Sequence, residues 1–383
     1  MDLLSAPMVL LDFIFTKVVP FVFVLTIVVF FHELGHFLVA RWNKVKVEAF
    51  AVGIGPELIG FNDKHNTRWK LCAIPFGGYV KFLGDADVSS RPDHEALNQL
   101  GADEREGAFE HKALWRRAAV VAAGPIANFI LASIIYTAVF SYYGEYKLAP
   151  IVGKIIEKSA AEEAGMKIGD RVVAIEGTKI DSFLDIGRHT YVGTGAALKF
   201  EILRDSKTLF LNVTPRMTIR KDQFGNEYQT GLVGVAPDTS PENVERLKLG
   251  PMAAFVKSID SIGQIITRTY HFIREIFQGK QDAKQLRGPL GIGQMTSQVA
   301  TLGLIDLIML SAALSVSIGL MNLLPVPMLD GGHLLFYGVE AIRGKPLSPK
   351  TQDIAFRIGI TCVLMMMLFA TFNDVRRLFG IFG

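Results

Sequence analysis

The chain has 383 residues, of which 50% are hydrophobic and 20% are charged, and its formal net charge is +3. Soluble domains carry about 25% charged residues on average, so this composition favours a membrane protein over a large soluble core. The charge is nearly balanced and has no long block of one sign, so nothing indicates a nucleic-acid partner. The two cysteines, Cys72 and Cys362, lie far apart and outside any CxxC pair, which excludes a disulfide framework and a cysteine-based zinc site.

Four long apolar segments predict four transmembrane helices. They cover about residues 9–40, 118–143, 307–329 and 354–372, and each is near the ~20 residues that cross ~30 Å of hydrocarbon. Lysines and arginines flank the loops after the first and third segments, so the positive-inside rule places both loops in the cytoplasm. The long second loop and both termini are then expected on the outer side.

The same pattern divides the chain into four expected parts. Residues 1–144 contain the first two transmembrane helices and a cytoplasmic loop, and residues 301–383 contain the last two helices. Residues 145–238 show short alternating strands, and their AG-hydrophobic-x-x-GD succession resembles the PDZ domains of bacterial proteases. Residues 239–300 form a connecting segment whose apolar residues recur at helical spacing, namely Phe255, Ile259, Ile262, Ile266, Ile273 and Phe277. This segment is expected to lie on the membrane or to pack against another domain.

The first apolar segment carries the HExxH motif His32-Glu33-Leu34-Gly35-His36. At about 100° per residue, positions i and i+4 share one face of a helix, so both imidazoles can bind one metal ion. Imidazole is a natural zinc ligand, and Glu33 is close enough to act as general base toward a zinc-activated water. Three polar groups near the end of an apolar span are costly unless they bind a partner. The alternative is that interfacial water satisfies them.

A catalytic zinc site also requires a third protein ligand. The third apolar segment ends in NLLPVPMLDGGH, from Asn322 to His333, where two prolines break the helix and two glycines permit a sharp turn. Irregular backbone at membrane depth is tolerated where it lines a protein cavity. Asp330 is therefore the candidate third ligand, and His333 is a competitor that chemistry alone does not exclude.

Together these motifs resemble the site-2 protease family of intramembrane zinc metalloproteases, and within it the bacterial RseP-type members. The matching stretches are HELGH at residues 32–36, PFGGYVK at residues 75–81, GPIAN at residues 124–128 and NLLPVPMLDGG at residues 322–332. The resemblance implies that the cofactor Zn²⁺ is bound by His32, His36 and Asp330, and that Glu33 is the catalytic base. It thereby favours Asp330 over His333.

Substrate contacts are also implied by the resemblance. Asn322 is expected to contact the unwound substrate, and Gly77, Gly78 and Tyr79 to belong to a membrane-inserted β-hairpin. An open strand edge near the zinc can accept a freed substrate backbone by β-addition, although simple turn glycines are the alternative. For Asn128 in the GPIAN stretch, helix packing is the simpler expectation.

The expected fold is therefore a membrane α-helical protein with four transmembrane helices, this hairpin and one PDZ-like α+β domain on the outer side of the bacterial inner (cell) membrane. RseP-type proteins carry two PDZ domains, whereas this chain has room for one. That domain is expected either to bind an extended peptide or to screen out substrates with bulky outer domains.

The expected activity is an intramembrane zinc endopeptidase that cleaves single-span membrane proteins in the lipid bilayer, such as anti-sigma factors or remnant signal peptides. One alternative is a membrane-anchored PDZ adaptor with a structural metal site, which would need neither Glu33 nor the broken third segment. Another is a soluble zincin peptidase anchored by one helix. The position of HELGH in a charge-poor span argues against that alternative.

Overall fold

The computed structural model describes residues 11–85, 97, 99–191, 196–221, 227–279, 283 and 286–378, and it divides into two compact units. Unit 1 comprises Met1–Ala138, Phe255–His271 and Leu286–Gly383. Unit 2 comprises Val139–Ala254 and Phe272–Gln285.

The described helices are, in chain order, α1 (Val19–Trp42), α2 (Ala102–Gly107), α3 (Leu114–Tyr143), α4 (Ala160–Glu163), α5 (Phe183–Tyr191), α6 (Pro251–Phe277), α7 (Pro289–Ala300), α8 (Leu304–Asn322), α9 (Asp330–Arg343) and α10 (Pro349–Leu378). A π-helical turn, Ile14–Val18, precedes α1. The described strands are β1 (Val47–Asn62), β2 (Arg68–Phe82), β3 (Glu145–Leu148), β4 (Val152–Ile155), β5 (Arg171–Ile175), β6 (Thr178–Lys179), β7 (Leu198–Arg204), β8 (Lys207–Val213), β9 (Arg216–Lys221), β10 (Glu227–Leu232), β11 (Val235–Pro237) and β12 (Val244–Leu247).

Four of the described helices are long and apolar enough to cross a membrane. They cover Leu11–Trp42, Leu114–Tyr143, Leu304–Asn322 and Pro349–Leu378. These helices confirm the four predicted apolar segments as candidate spans.

The third span is shorter than the sequence predicts. Helix α8 ends at Asn322 rather than near Leu329, and α9 begins at Asp330 after an irregular turn. Within this turn Met328 has a φ of 94°. Pro325 and Pro327 cannot donate to a helical hydrogen-bond ladder, so the chain leaves the helix although its composition stays apolar. The break places Asp330 in the first turn of a new helix.

Strands β1 and β2 form a strongly curved antiparallel hairpin. Residues 49–52 of β1 pair with residues 78–81 of β2 on one side and with residues 68–71 on the other. The final residues of β2 therefore form one edge, and no strand pairs with their outer side in the described part of the chain. The predicted short strand near Phe76 is thus the end of a 15-residue strand. Several large apolar side chains of the hairpin are exposed, namely Ile54, Leu58, Ile59, Phe61, Leu71 and Ile74.

Helix α6 occupies the predicted amphipathic segment, and part of its apolar stripe is buried within the fold. Ser258 and Ile262 are buried, whereas Phe255 and Ile259 of the predicted apolar stripe are exposed. The Ser258 hydroxyl lies 3.1 Å from the hydroxyls of both Ser133 and Thr137 on α3. Small hydroxyl residues let two helices approach closely and exchange hydrogen bonds where the surroundings are apolar.

Unit 2 contains a four-stranded sheet in the order β6-β5-β7-β8, and β11 pairs with β4. Its core consists mainly of fully buried strand residues, among them Val152, Val172, Phe200, Ile202 and Val213. Asp170 in the turn before β5 is fully buried and is held by Arg204 through two hydrogen bonds of 2.6 and 2.7 Å. This ion pair anchors the glycine-containing turn to β7.

Candidate metal centre

The C-terminal half of α1 carries the HExxH residues into a tight helix contact. His32 and Glu33 are each 9% exposed. A Cβ added at Gly35 would lie 2.3 Å from the carbonyl oxygen of Ala123, and one added at Gly124 would lie 2.2 Å from Nε2 of His36. The two glycines therefore permit α1 and α3 to approach until both imidazoles fit between them.

Helix α9 brings Asp330 to the same point. The Nε2 atoms of His32 and His36 lie 3.3 Å apart. Asp330 Oδ2 lies 3.3 Å from Nε2 of His32, and its Oδ1 lies 3.4 Å from Nε2 of His36. In a tetrahedral zinc site with ligand bonds of about 2.0–2.1 Å, neighbouring ligand atoms are about 3.3–3.4 Å apart. The three side chains therefore fit zinc in both donor type and spacing.

The second nitrogen of each imidazole faces α3. Nδ1 of His36 lies 2.9 Å from the carbonyl oxygen of Val120 and donates to it. This bond puts the proton on Nδ1 and leaves the Nε2 lone pair directed at Asp330 and His32, as a metal-binding histidine requires. Nδ1 of His32 lies 3.3 Å from the side-chain amide of Asn128.

A cavity of about 180 Å³ opens beside these ligands. It is lined by His32, Glu33, His36, Gly78, Tyr79, Val80, Phe82, Phe109, Val121, Asn322, Met328, Leu329, Asp330 and His333. A Cβ added at Gly78 would lie 2.8 Å from Cγ of Glu33, so the edge of β2 approaches the Glu33 side chain. The cavity therefore brings this strand edge and Glu33 to the side of the candidate ligands.

The structure brings together most of the predicted site residues. Asn322 places its amide nitrogen 3.2 Å from Nε2 of His32. Gly78 and Tyr79 line the cavity, whereas Gly77 is outside the described lining and has no atom within 4 Å of an added Cβ. His333 also lines the cavity, but the converging metal-binding group consists of the two HExxH histidines and Asp330.

Phe109 is a residue of the site that the sequence did not indicate, and Asn128 has a contact beyond the one expected of it. Phe109 lies in the connection between β2 and α3, is 2% exposed and forms part of the cavity wall. An aromatic residue in an otherwise polar loop was the available signal. Asn128, for which helix packing was the simpler expectation, also contacts a candidate ligand.

A buried ion pair fixes the helix that carries Asp330. Arg117 near the start of α3 lies 2.5 Å from Glu340 on α9, and its guanidinium lies 5.0 Å from the ring centroid of Tyr337. Arg117 and Tyr337 are both buried. The ligand helix α9 is thus attached to the same helix that carries the partners of the two histidines.

Comparisons with known proteins show the family of this chain. Residues 20–367 match the sequence model of Peptidase family M50. A protein of Agrobacterium fabrum named as a zinc metalloprotease is 47% identical over 363 residues, which cover 95% of this chain and 96% of that protein. Metalloprotease MmpA of Caulobacter vibrioides is 35% identical over 383 residues, covering 94% of this chain and 95% of that protein. The chain therefore belongs to Peptidase family M50, the site-2 proteases, and is a zinc-dependent membrane metalloprotease.

Proposed function

We propose that this protease cleaves single-span membrane proteins inside the bilayer, with zinc held by His32, His36 and Asp330 and with Glu33 as general base. The observation that carries the proposal is the spacing of the three side chains, whose ligand atoms lie 3.3–3.4 Å apart. Buried ionisable groups in a transmembrane segment are costly without a partner, and a zinc ion satisfies all three.

When bound, zinc supplies Lewis-acid activation of water and of the scissile carbonyl group. Glu33 lies in the cavity wall beside both histidines, where it can remove the proton of the attacking water and deliver it to the leaving amine. The amide nitrogen of Asn322 points to the same region. It would donate a hydrogen bond to the carbonyl oxygen as negative charge develops there.

The edge of β2 is proposed to hold the substrate. A transmembrane helix hides its peptide bonds in its own hydrogen bonds, so it must unwind locally before cleavage. Residues 78–82 pair with β1 on one side only and include the cavity-lining residues next to Glu33. An unwound segment can therefore add to this edge as a strand, which satisfies its freed backbone groups. The exposed apolar side chains of the hairpin, such as Leu58 and Ile59, suit insertion into the hydrocarbon region.

The proposed setting is the inner (cell) membrane of a bacterium, with the basic loop after α1 in the cytoplasm. The PDZ-like domain, residues 145–238, would then lie on the outer side. There it would screen out substrates with bulky outer domains, and peptide binding at a strand edge is the competing role. Anti-sigma factors and remnant signal peptides are the substrate types proposed.

The test is cleavage of a tagged single-span protein by the purified enzyme in detergent, with zinc measured on every sample. Glu33→Gln should abolish cleavage while about one zinc per chain remains, because Glu33 is a base and not a ligand. Glu48→Gln is the matched control, since Glu48 pairs with Lys81 at 2.9 Å outside the described cavity lining. Cleavage by the Glu33→Gln enzyme at the wild-type rate would refute the assigned base. Captured but uncleaved substrate in both proteins would favour the adaptor alternative.

A further inference from the structure

Asn128 lies where three candidate spans meet. Its side chain is fully buried on α3 and approaches His32 of α1. Its backbone carbonyl accepts a 2.9 Å hydrogen bond from the Ser315 hydroxyl of α8. Gly319 on α8 also packs here, because a Cβ added to it would lie 3.2 Å from Cβ of Asn128. The position of this side chain is therefore fixed from two neighbouring helices.

The hydrogen bonding of the Asn128 amide is incomplete in this orientation. Its nitrogen faces Nδ1 of His32 at 3.3 Å, while its oxygen Oδ1 is buried with no hydrogen-bond partner among the described residues. His32 directs Nε2 toward His36 and Asp330, so Nε2 is the atom that would bind a metal. A neutral imidazole that binds through Nε2 carries its proton on Nδ1. Two N–H groups would then face each other.

Rotating the amide by half a turn removes this conflict. The nitrogen and oxygen of an asparagine have nearly the same shape and are assigned from their hydrogen bonds. After the rotation, Oδ1 faces Nδ1 of His32 and accepts its proton. The orphaned oxygen thereby gains a partner when the imidazole is in its metal-binding tautomer.

Both candidate ligands then have equivalent support from α3. Nδ1 of His36 donates to the carbonyl oxygen of Val120, and Nδ1 of His32 donates to Asn128 two helical turns later. Gly124 lies between these two residues, where an added Cβ would be 2.5 Å from Cε1 of His36 and 2.9 Å from Cε1 of His32. One face of α3 thus carries a hydrogen-bond acceptor for each imidazole, at Val120 and Asn128. Gly124 between them leaves room for both rings.

We propose that Asn128 is the positioning residue for His32, and that its side-chain oxygen holds this imidazole in the orientation and tautomer that bind zinc. The proposal rests on the zinc ligands assigned under the proposed function. Outer hydrogen-bond partners of zinc-bound histidines fix the ring and raise its basicity, and their loss weakens metal binding about 10- to 100-fold. A residue that served only in helix packing would affect stability without this effect on zinc.

The test measures zinc affinity by competition with a chelator on purified full-length protein in detergent. Asn128→Leu is of similar size but has no hydrogen-bond acceptor, and it should weaken zinc binding about 10- to 100-fold. Asn128→Asp should keep zinc affinity within about threefold of wild type, because a carboxylate also accepts a hydrogen bond from Nδ1–H of His32. Replacing zinc by Co²⁺ gives a second readout. The Asp variant should keep the wild-type visible absorption bands, and the Leu variant should shift them.

Three further variants make the result decisive. Ser315→Ala removes the contact to the Asn128 backbone but not to its side chain, so zinc affinity should stay within about twofold. Asn128→Ser, whose hydroxyl is too short to reach His32, should weaken zinc binding even if the Leu variant does not fold. Asp330→Ala should lose zinc outright, and retention of zinc there would refute the ligand set rather than the role of Asn128. Wild-type zinc affinity in the folded Leu or Ser variant, or a loss in the folded Asp variant equal to theirs, would overturn the proposal.

Discussion

Two carboxylates, the partly buried Asp330 in unit 1 and the fully buried Asp170 in unit 2, differ in how the chain satisfies them. Asp170 accepts two hydrogen bonds from Arg204 and a third, of 2.8 Å, from the backbone N–H of Lys167. Its negative charge is therefore balanced within the fold. Asp330 faces the Nε2 atoms of two imidazoles, and it has no such guanidinium partner among the described contacts.

This difference indicates a structural role for Asp170 and a role in ligand binding for Asp330. A buried charge is tolerated when a countercharge and hydrogen bonds accompany it. Arg204 provides both to Asp170, so nothing further is needed in that turn. In the proposed zinc-bound form the imidazoles beside Asp330 are neutral, so the bound cation balances its charge. Under that proposal the chain satisfies Asp170 by itself, whereas zinc satisfies Asp330.

The largest expected effect comes from removing each carboxylate in turn. Asp330→Ala should leave less than about a tenth of the zinc and lower cleavage at least a hundredfold, because losing a ligand exceeds the 10- to 100-fold effect of losing an outer partner. Asp170→Asn should keep zinc and cleavage but destabilise unit 2 by about 2–4 kcal/mol, because Arg204 loses its countercharge. Zinc content, cleavage and proteolysis of unit 2 measure these outcomes. Equal zinc loss in both variants would contradict the comparison.

A smaller effect is expected at the glycine between the two imidazoles. Gly124→Ala places a methyl group where His36 Nε2 lies, so either the ring turns away or α1 and α3 separate. Because the ring must stay in place to bind zinc, we expect zinc affinity to fall by at least about tenfold, comparable to losing an outer partner. The affinity is measured by chelator competition.

Gly338→Ala is the matched control for this substitution. Gly338 lies on α9 with no atom within 4 Å of an added Cβ, so alanine there meets open space and favours the helix. Zinc affinity should be unchanged in this variant. If Gly124→Ala also binds zinc as tightly as wild type, the close approach of α3 to the ligands is not required.

The candidate ligands could be predicted from the sequence because they belong to short motifs with a fixed geometry. The HExxH spacing alone places His32 and His36 on one helix face. Pro325 and Pro327 indicate a helix break after Asn322. The end of α8 was placed too late, because apolar composition continues past the point where the backbone leaves the helix.

Contacts between helices could not be predicted in this way. Apolar periodicity marks Phe255, Ile259 and Ile262 as one stripe of α6, but it does not show that Ser258 is buried and meets two hydroxyls of α3. Where the surroundings are apolar, exposing Phe255 costs little free energy, and burying Ser258 is favourable because its hydroxyl has hydrogen-bond partners. Likewise, the sequence shows Asn128 within an apolar span but not which side chain it meets.

The smallest expected effect concerns a third carboxylate, Asp63. Like Asp170, it receives its hydrogen bonds from other residues of the chain. Asp63 lies in the turn between β1 and β2 and is bonded to Arg41, to Trp69 and to the backbone N–H groups of His65 and Thr67. Partial burial favours the protonated form, but these hydrogen bonds outweigh it and lower the pKa of Asp63 to about 2.

A lowered pKa in the folded state stabilises the fold above the unfolded pKa near 4, and this contribution is lost as the pH falls from about 4 to about 2. Asp63→Asn should therefore lower the free energy of unfolding by about 1–2 kcal/mol at pH 7, a value reduced for solvent screening. The difference between variant and wild type should shrink toward zero near pH 2. Unfolding midpoints of both proteins in detergent, measured from pH 2 to pH 7, test this. A difference that stayed constant over this range would mean that Asp63 holds the hairpin turn through the shape of its hydrogen bonds rather than through its charge.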